Sequence, residues 1–173
     1  TDHTQGQNQE GRAFLYYGNG SRGLARCPGQ MLTDHSAPIG LLGISDAFNS
    51  FGLRALGRTA RGRGEVRMEW EVKPLGDLFD GTGTAQSGWI DTGTAGAAMS
   101  ELVSGLEPGA QHWRLRLLYD PVTTPLQSAS RWFTVPWNGW QERDLTVSPF
   151  VGGQVWEDHD GDGLGDACDD DDD

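Results

Sequence analysis

The chain contains no run of about 18 apolar residues, which excludes a membrane-spanning helix. Only two cysteines are present, Cys27 and Cys168, so at most one disulfide can form within a chain. The two thiols can pair within one chain or between chains, and a bond between them places the protein in an oxidising compartment. Strong helix formers are sparse and no long stretch repeats with helical period, which argues against a helical fold. The four histidines, His3, His35, His112 and His159, are scattered with none at metal-pair spacing, which argues against zinc. The chain opens at Thr1 without Met or a charged-then-apolar leader, as expected of a processed piece whose targeting signal has been removed.

What is present is glycine, 26 of 173 residues, with short apolar runs that alternate with Gly, Pro, Asp and Asn clusters. That texture predicts an all-β fold, and the length suits one core with appendages. The net charge of −12 is local rather than global. Residues 1–156 carry 15 acids against 13 bases, whereas 157–173 carry ten acids, Glu157 and nine Asp, and no base. Such a run either repels itself into disorder or is neutralised by cations, and nucleic acid is excluded as its partner.

Along the chain, Arg12–Tyr17 forms an aromatic run of strand type, closed by the turn Gly18-Asn-Gly20. Residues 25–50, interrupted by Cys27-Pro28 and Pro38, read as a linker packed along the main domain. Regular alternation begins at Phe51–Leu56 and is clearest in Glu65–Val72, where Val66, Met68, Trp70 and Val72 share one face. Further strands are expected at 88–91, 97–103, 112–119, 130–135 and 144–147. Turns are expected at Asp80-Gly81, Glu107-Pro-Gly109 and Asp120-Pro121. In 112–119, Trp113, Leu115 and Leu117 face one way and Arg114 and Arg116 the other. Short antiparallel strands at this spacing predict a β-sandwich over 51–150. Trp137 and Trp140 close it with a Trp-rich turn that either covers an open edge or offers a sugar-stacking platform.

Three segments resemble known families. Gly105-Leu-Glu-Pro-Gly109 with His112-Trp-Arg-Leu-Arg116 resembles the corner before the sixth strand of fibronectin type III domains, with His112 and Trp113 standing where those domains carry a Tyr. The resemblance implies a fibronectin type III-like antiparallel sandwich. Residues 5–24, with Glu10-Gly-Arg-Ala-Phe-Leu-Tyr-Tyr-Gly18, are similar to the closing strand of an FG-GAP propeller repeat, which implies a strand that must complete another sheet. Asp158-His-Asp-Gly-Asp-Gly-Leu-Gly-Asp-Ala-Cys-Asp169 resembles a thrombospondin type 3 repeat, which implies a calcium loop in a secreted or surface protein.

The chemistry of that loop also follows from its residues. With Asp158 at loop position 1, carboxylates fall at 1, 3, 5, 9 and 12, Gly163 stands at the sharp turn, and Leu164 offers a carbonyl at position 7. Asp158, Asp160, Asp162, Asp166 and Asp169 with the Leu164 carbonyl are therefore the expected ligands. Calcium takes six to eight hard oxygens and tolerates a crowded, irregular cage better than magnesium does. Asp170–Asp173 lack such geometry and serve a second ion, a neighbouring chain or nothing.

Other motifs have simpler readings. Gly18–Gly23 has dinucleotide-loop spacing but no helix follows it. Asp34-His35-Ser36 has hydrolase residue types without a nucleophile elbow. Arg58–Arg67 reads as a turn, with a patch for an Asp tail of another subunit as the alternative. Asn19-Gly-Ser21 is a glycosylation sequon. The expectation is a non-enzymatic extracellular protein with four parts: a strand-bearing segment (1–24), a linker (25–50), a sandwich (51–150) and a calcium loop with Asp tail (151–173). It binds calcium and self-associates as a structural subunit of a fibre or surface layer. The alternative is a monomeric adhesion or carbohydrate-binding module.

Overall fold

The structure, a computed structural model, describes residues 25–59, 62–135, 138–139 and 142–147. Among these the fold is all-β, with no helix. Nine strands follow in order: β1 (Ala25–Met31), β2 (Gly43–Ile44), β3 (Ser50–Gly57), β4 (Glu65–Pro74), β5 (Ala85–Gln86), β6 (Ile90–Asp91), β7 (Ala97–Ser104), β8 (Gly109–Tyr119) and β9 (Leu145–Val147). One sheet has the order β1-β3-β7 and the other β2-β9-β8-β4-β5, with β6 also on β4. All pairings are antiparallel except that of β2 with β9. This is the two-sheet order of an immunoglobulin-like sandwich.

One apolar core joins the sheets. Phe51, Leu53 and Ala55 of β3 and Met99 and Val103 of β7 meet Val66, Met68 and Trp70 of β4, Trp113, Leu115 and Leu117 of β8, and Leu145 and Val147 of β9. The period-two faces expected in β4 and β8 are the ones buried, with Val72 partly buried against the same cluster. Each fully buried Leu, Val or Phe contributes roughly 1.5–3 kcal/mol. At Gly57 of β3 a Cβ would stand 2.7 Å from the Val66 side chain of the facing sheet and 2.9 Å from that of Met99 on the neighbouring β7, so a larger residue there forces the core to shift. The expected turns at Asp80-Gly81 and Asp120-Pro121 are present: Asp80 accepts Thr82 N–H, and Asp120 O accepts Thr124 N–H.

Two expectations differ from what the chain does. Residues 25–50 hold two strands: β1 runs along β3 from Ala25 opposite Gly57 to Met31 opposite Gly52, and β2 lies beside β9. The Cys-Pro-Gly at the centre of β1 hides it in the sequence; an edge strand tolerates it through a register irregularity between Arg26 and Gly29. Residues 130–135, expected as a strand, make one isolated bridge to β8, Phe133 opposite Leu115, after that of the preceding Ala129 opposite Leu118. They run along the same edge of β8 that β9 takes further on, where Leu145 stands opposite Gln111. Eleven residues (134–144) separate Phe133 from Leu145, while three (112–114) separate their partners on β8. Residues 129–147 are thus one strand path broken by a large excursion.

Candidate functional site

The predicted calcium ligands Asp158, Asp160, Asp162, Leu164, Asp166 and Asp169 lie outside the described residues. So do Cys168, Asp170–Asp173, Trp137, Trp140, the sequon and the Arg12–Tyr17 segment. Cys27 lies in β1. β9, the last strand among the described residues, ends at Val147, paired with Gly109 of β8. Among the described residues no group of three or more His, Cys, Asp or Glu could hold a metal ion.

The described residues of the 134–144 excursion form a built base. Where it leaves β8, the Trp113 backbone loses its ladder partner, and a buried backbone group left unpaired is costly. Side chains take over: Trp113 N–H donates to Asp144 Oδ2 at 2.8 Å, and Thr134 Oγ1 donates to Trp113 O at 2.8 Å. Asn138 Nδ2 donates to Asp144 Oδ1 at 2.6 Å and to Arg143 O at 2.8 Å, which ties the middle of the excursion to its end, while Thr134 Oγ1 lies 3.3 Å from Asp144 Oδ2 and links the two ends. Asp144 is buried, and burial pushes its carboxyl above the usual aspartate range against the lowering effect of these donors. Beneath it, Gln30 of β1 accepts from Trp113 Nε1 at 2.9 Å and donates to Gly40 O and Asp144 O. One buried network therefore ties β1, β8 and both ends of the excursion.

The outer face of β4 and β8 carries the second polar construction. Glu69 stands opposite Arg116, Glu71 opposite Arg114 and Lys73 opposite His112. Arg114 donates to Glu71 Oε2 from Nε at 2.9 Å and Nη2 at 2.6 Å, while Glu71 Oε1 accepts the Asp80 and Gly81 N–H groups. Arg116 pairs with Glu69, which also accepts from Gln86. The Arg114 and Arg116 guanidiniums lie 4.3 and 4.4 Å from the Trp132 ring centre. Arg114 also lies 4.8 Å from Phe79, whose ring stacks on His112 at 4.2 Å. Charge pairs and cation–π contacts thus fasten the loops at 75–83 and 129–134 onto the sheet, leaving Glu71 fully buried. The register of alternating acids on β4 against alternating arginines on β8 is the sequence signal for this ladder. No signal marked Asp144.

The remaining motifs fall into ordinary places. In Asp34-His35-Ser36, Asp34 Oδ1 accepts from both Ser36 N–H and Ser36 Oγ, and the hydrogen bonds hold its carboxyl below the usual range. The His35 ring packs over Gly52, where a Cβ would stand 2.6 Å from Nδ1, so the three side chains form no relay. Arg63 is engaged by Asp91 through Nε and Nη2 at 2.9 and 2.6 Å. His112 Nε2 lies 2.8 Å from Asp77 O.

Comparison with known proteins adds nothing to this geometry. No protein-family model matches the chain, and neither does any curated protein or solved structure.

Proposed function

We propose that this chain is a calcium-binding structural protein of the extracellular space, a non-catalytic subunit that associates with its own copies in a fibre or surface layer. The single observation that carries the reading is the ligand spacing of Asp158, Asp160, Asp162, Leu164, Asp166 and Asp169 around Gly163. Calcium neutralises a segment that otherwise repels itself, which favours close approach of chains.

Isothermal calorimetry tests the reading. Calcium binding is expected at millimolar concentration or below, greatly weakened by Asp160→Ala and little changed by Asp172→Ala. Equal loss in both variants indicates diffuse attraction, and no heat removes the calcium site. Light scattering with and without calcium then tests association. A second reading, a monomeric carbohydrate-binding or adhesion module using Trp137 and Trp140, is favoured by the clamped base that Asp144 and Asn138 give the segment bearing them. A glycan array tests it.

A further inference from the structure

The edges of the two sheets differ in how they are closed. β2, β5 and β6 have two residues each, too few to template another strand. β1 carries Pro28 and an irregular register, and its C-terminal end is covered by a returning segment: Ile39 N–H donates to Gln30 O at 2.8 Å and, just beyond the strand, Leu32 N–H to Ala37 O at 2.9 Å. β7 has none of these protections. Its eight residues hold unbroken register with β3, from Ala97 opposite Gly57 to Ser104 opposite Ser50. Among the described residues no strand lies on its other side. It contains no Pro and no Lys, and Ala98, Ser100, Leu102 and Ser104 form an exposed row, with Leu102 51% accessible. Half the N–H and C=O groups of such a strand point away from its one neighbour, and a long, regular edge whose exposed row carries no charge recruits another strand; the one charge, Glu101, lies on the row of Met99 and Val103.

Two occupants suit this edge. A second β7 paired about a two-fold axis brings Glu101, the only charge of the strand, towards its own copy, which is destabilising. The segment Arg12-Ala-Phe-Leu-Tyr-Tyr17 instead brings an arginine and no acid, has strand-type residues throughout, and is short enough for β7. This segment joins its own sandwich through 18–24 at Ala25, on β1, the edge opposite β7. Consecutive strands tend to be neighbours, yet the β1 edge that Ala25 begins is interrupted by Pro28 at its centre and covered by the 37–39 return at Gln30 and Met31. A second copy presents its β7 edge free of that constraint.

We propose that β7 is the acceptor edge for Arg12–Tyr17 donated by a second copy of this chain, so that copies join head to tail. The inference rests on the self-association proposed above and names its interface. A donor on one side of the molecule and an acceptor on the other give a heterologous contact that propagates instead of closing as a two-fold dimer.

The test uses full-length chains in calcium, followed by sedimentation equilibrium. Tyr16→Pro disables the donor, and Leu102→Lys puts a charge on the acceptor row. Each variant alone is expected to associate on the order of a hundredfold more weakly than the natural sequence. An equimolar mixture regains a one-to-one complex, because the intact donor of one variant meets the intact edge of the other. If Leu102→Lys lowers the thermal midpoint, Ser100→Lys on the same exposed row replaces it. A mixture that stays monomeric overturns the interface, as does undiminished association of Tyr16→Pro, the result expected of β7 pairing with β7. Association that persists in both variants overturns the interface and leaves the assembly reading standing. A natural chain that is monomeric in calcium overturns both.

Discussion

The carboxylate of Asp144 accepts the Trp113 backbone N–H at 2.8 Å, in the place where a neighbouring strand's carbonyl would otherwise receive it. A side chain thus stands in for a sheet partner at the point where the chain leaves β8, and the sheet resumes at Leu145 opposite Gln111. The substitution of side chain for strand lets an eleven-residue excursion interrupt a strand path without leaving the Trp113 amide unpaired.

Asp144→Ala is expected to destabilise the fold by about 2–3 kcal/mol, because the Trp113 N–H is left buried and unsatisfied. Asp144→Asn loses less, about 1–2 kcal/mol, since one amide oxygen still reaches Trp113 while the amide nitrogen faces the Asn138 donor. Urea denaturation of the two variants checks the order.

The same residue gives a signed pH dependence. Burial raises the Asp144 pKa, so as pH climbs the unfolded carboxyl ionises before the folded one. Its contribution to stability is therefore full below the ordinary aspartate value and is lost as pH rises through the raised value. The stability difference between the natural chain and Asp144→Asn should widen in favour of the natural chain on acidification through the carboxylate range. A difference independent of pH contradicts the raised value.

Glu71 is fully buried, and its compensation comes chiefly from Arg114 and the Asp80 and Gly81 amides, with Lys73 Nζ farther off at 3.8 Å. Arg114→Ala should cost about 3–5 kcal/mol, because it strands a buried charge and empties the space between Phe79 and Trp132. Glu71→Gln combined with Arg114→Ala should cost less than the two single changes added together. A double-mutant cycle measures the coupling; additive values mean the pair acts independently.

At the corner between β7 and β8, Gln111 Nε2 donates to Glu107 O at 2.8 Å, four residues upstream. This is the kind of bond a tyrosine makes at a corner of immunoglobulin-like sandwiches, while His112 is engaged with Asp77 O and Phe79. Gln111→Ala should lower stability by about 1–2 kcal/mol, and thermal denaturation should show it. An unchanged midpoint means that Pro108 and Gly109 alone fix the corner.

If Cys27 and Cys168 are bonded, mass spectrometry of the non-reduced chain finds no free thiol. Reduction should then lower stability by roughly 2–4 kcal/mol for a bond within one chain. Dimers on a non-reducing gel assign the bond to two chains, and two free thiols exclude it.

The alternation of apolar residues determined the all-β class, the inward faces of β4 and β8, and the strands 51–56, 97–103 and 112–119. Period-two patterning reports a face that must be buried whatever the neighbour is. The calcium loop proposed for Asp158 to Asp169 is likewise read from local spacing, because such a loop draws its ligands from one short stretch of chain. The tertiary structure decided the rest, for the opposite reason. β1 became a strand through pairing with β3, despite a Cys-Pro-Gly centre that local propensity disfavours. Residues 130–135 fell short of a strand because the chain turns away at Trp113. The roles of Gln30 and Asp144 depend on meeting Trp113, 83 and 31 residues away in sequence, and no local pattern encodes such a meeting.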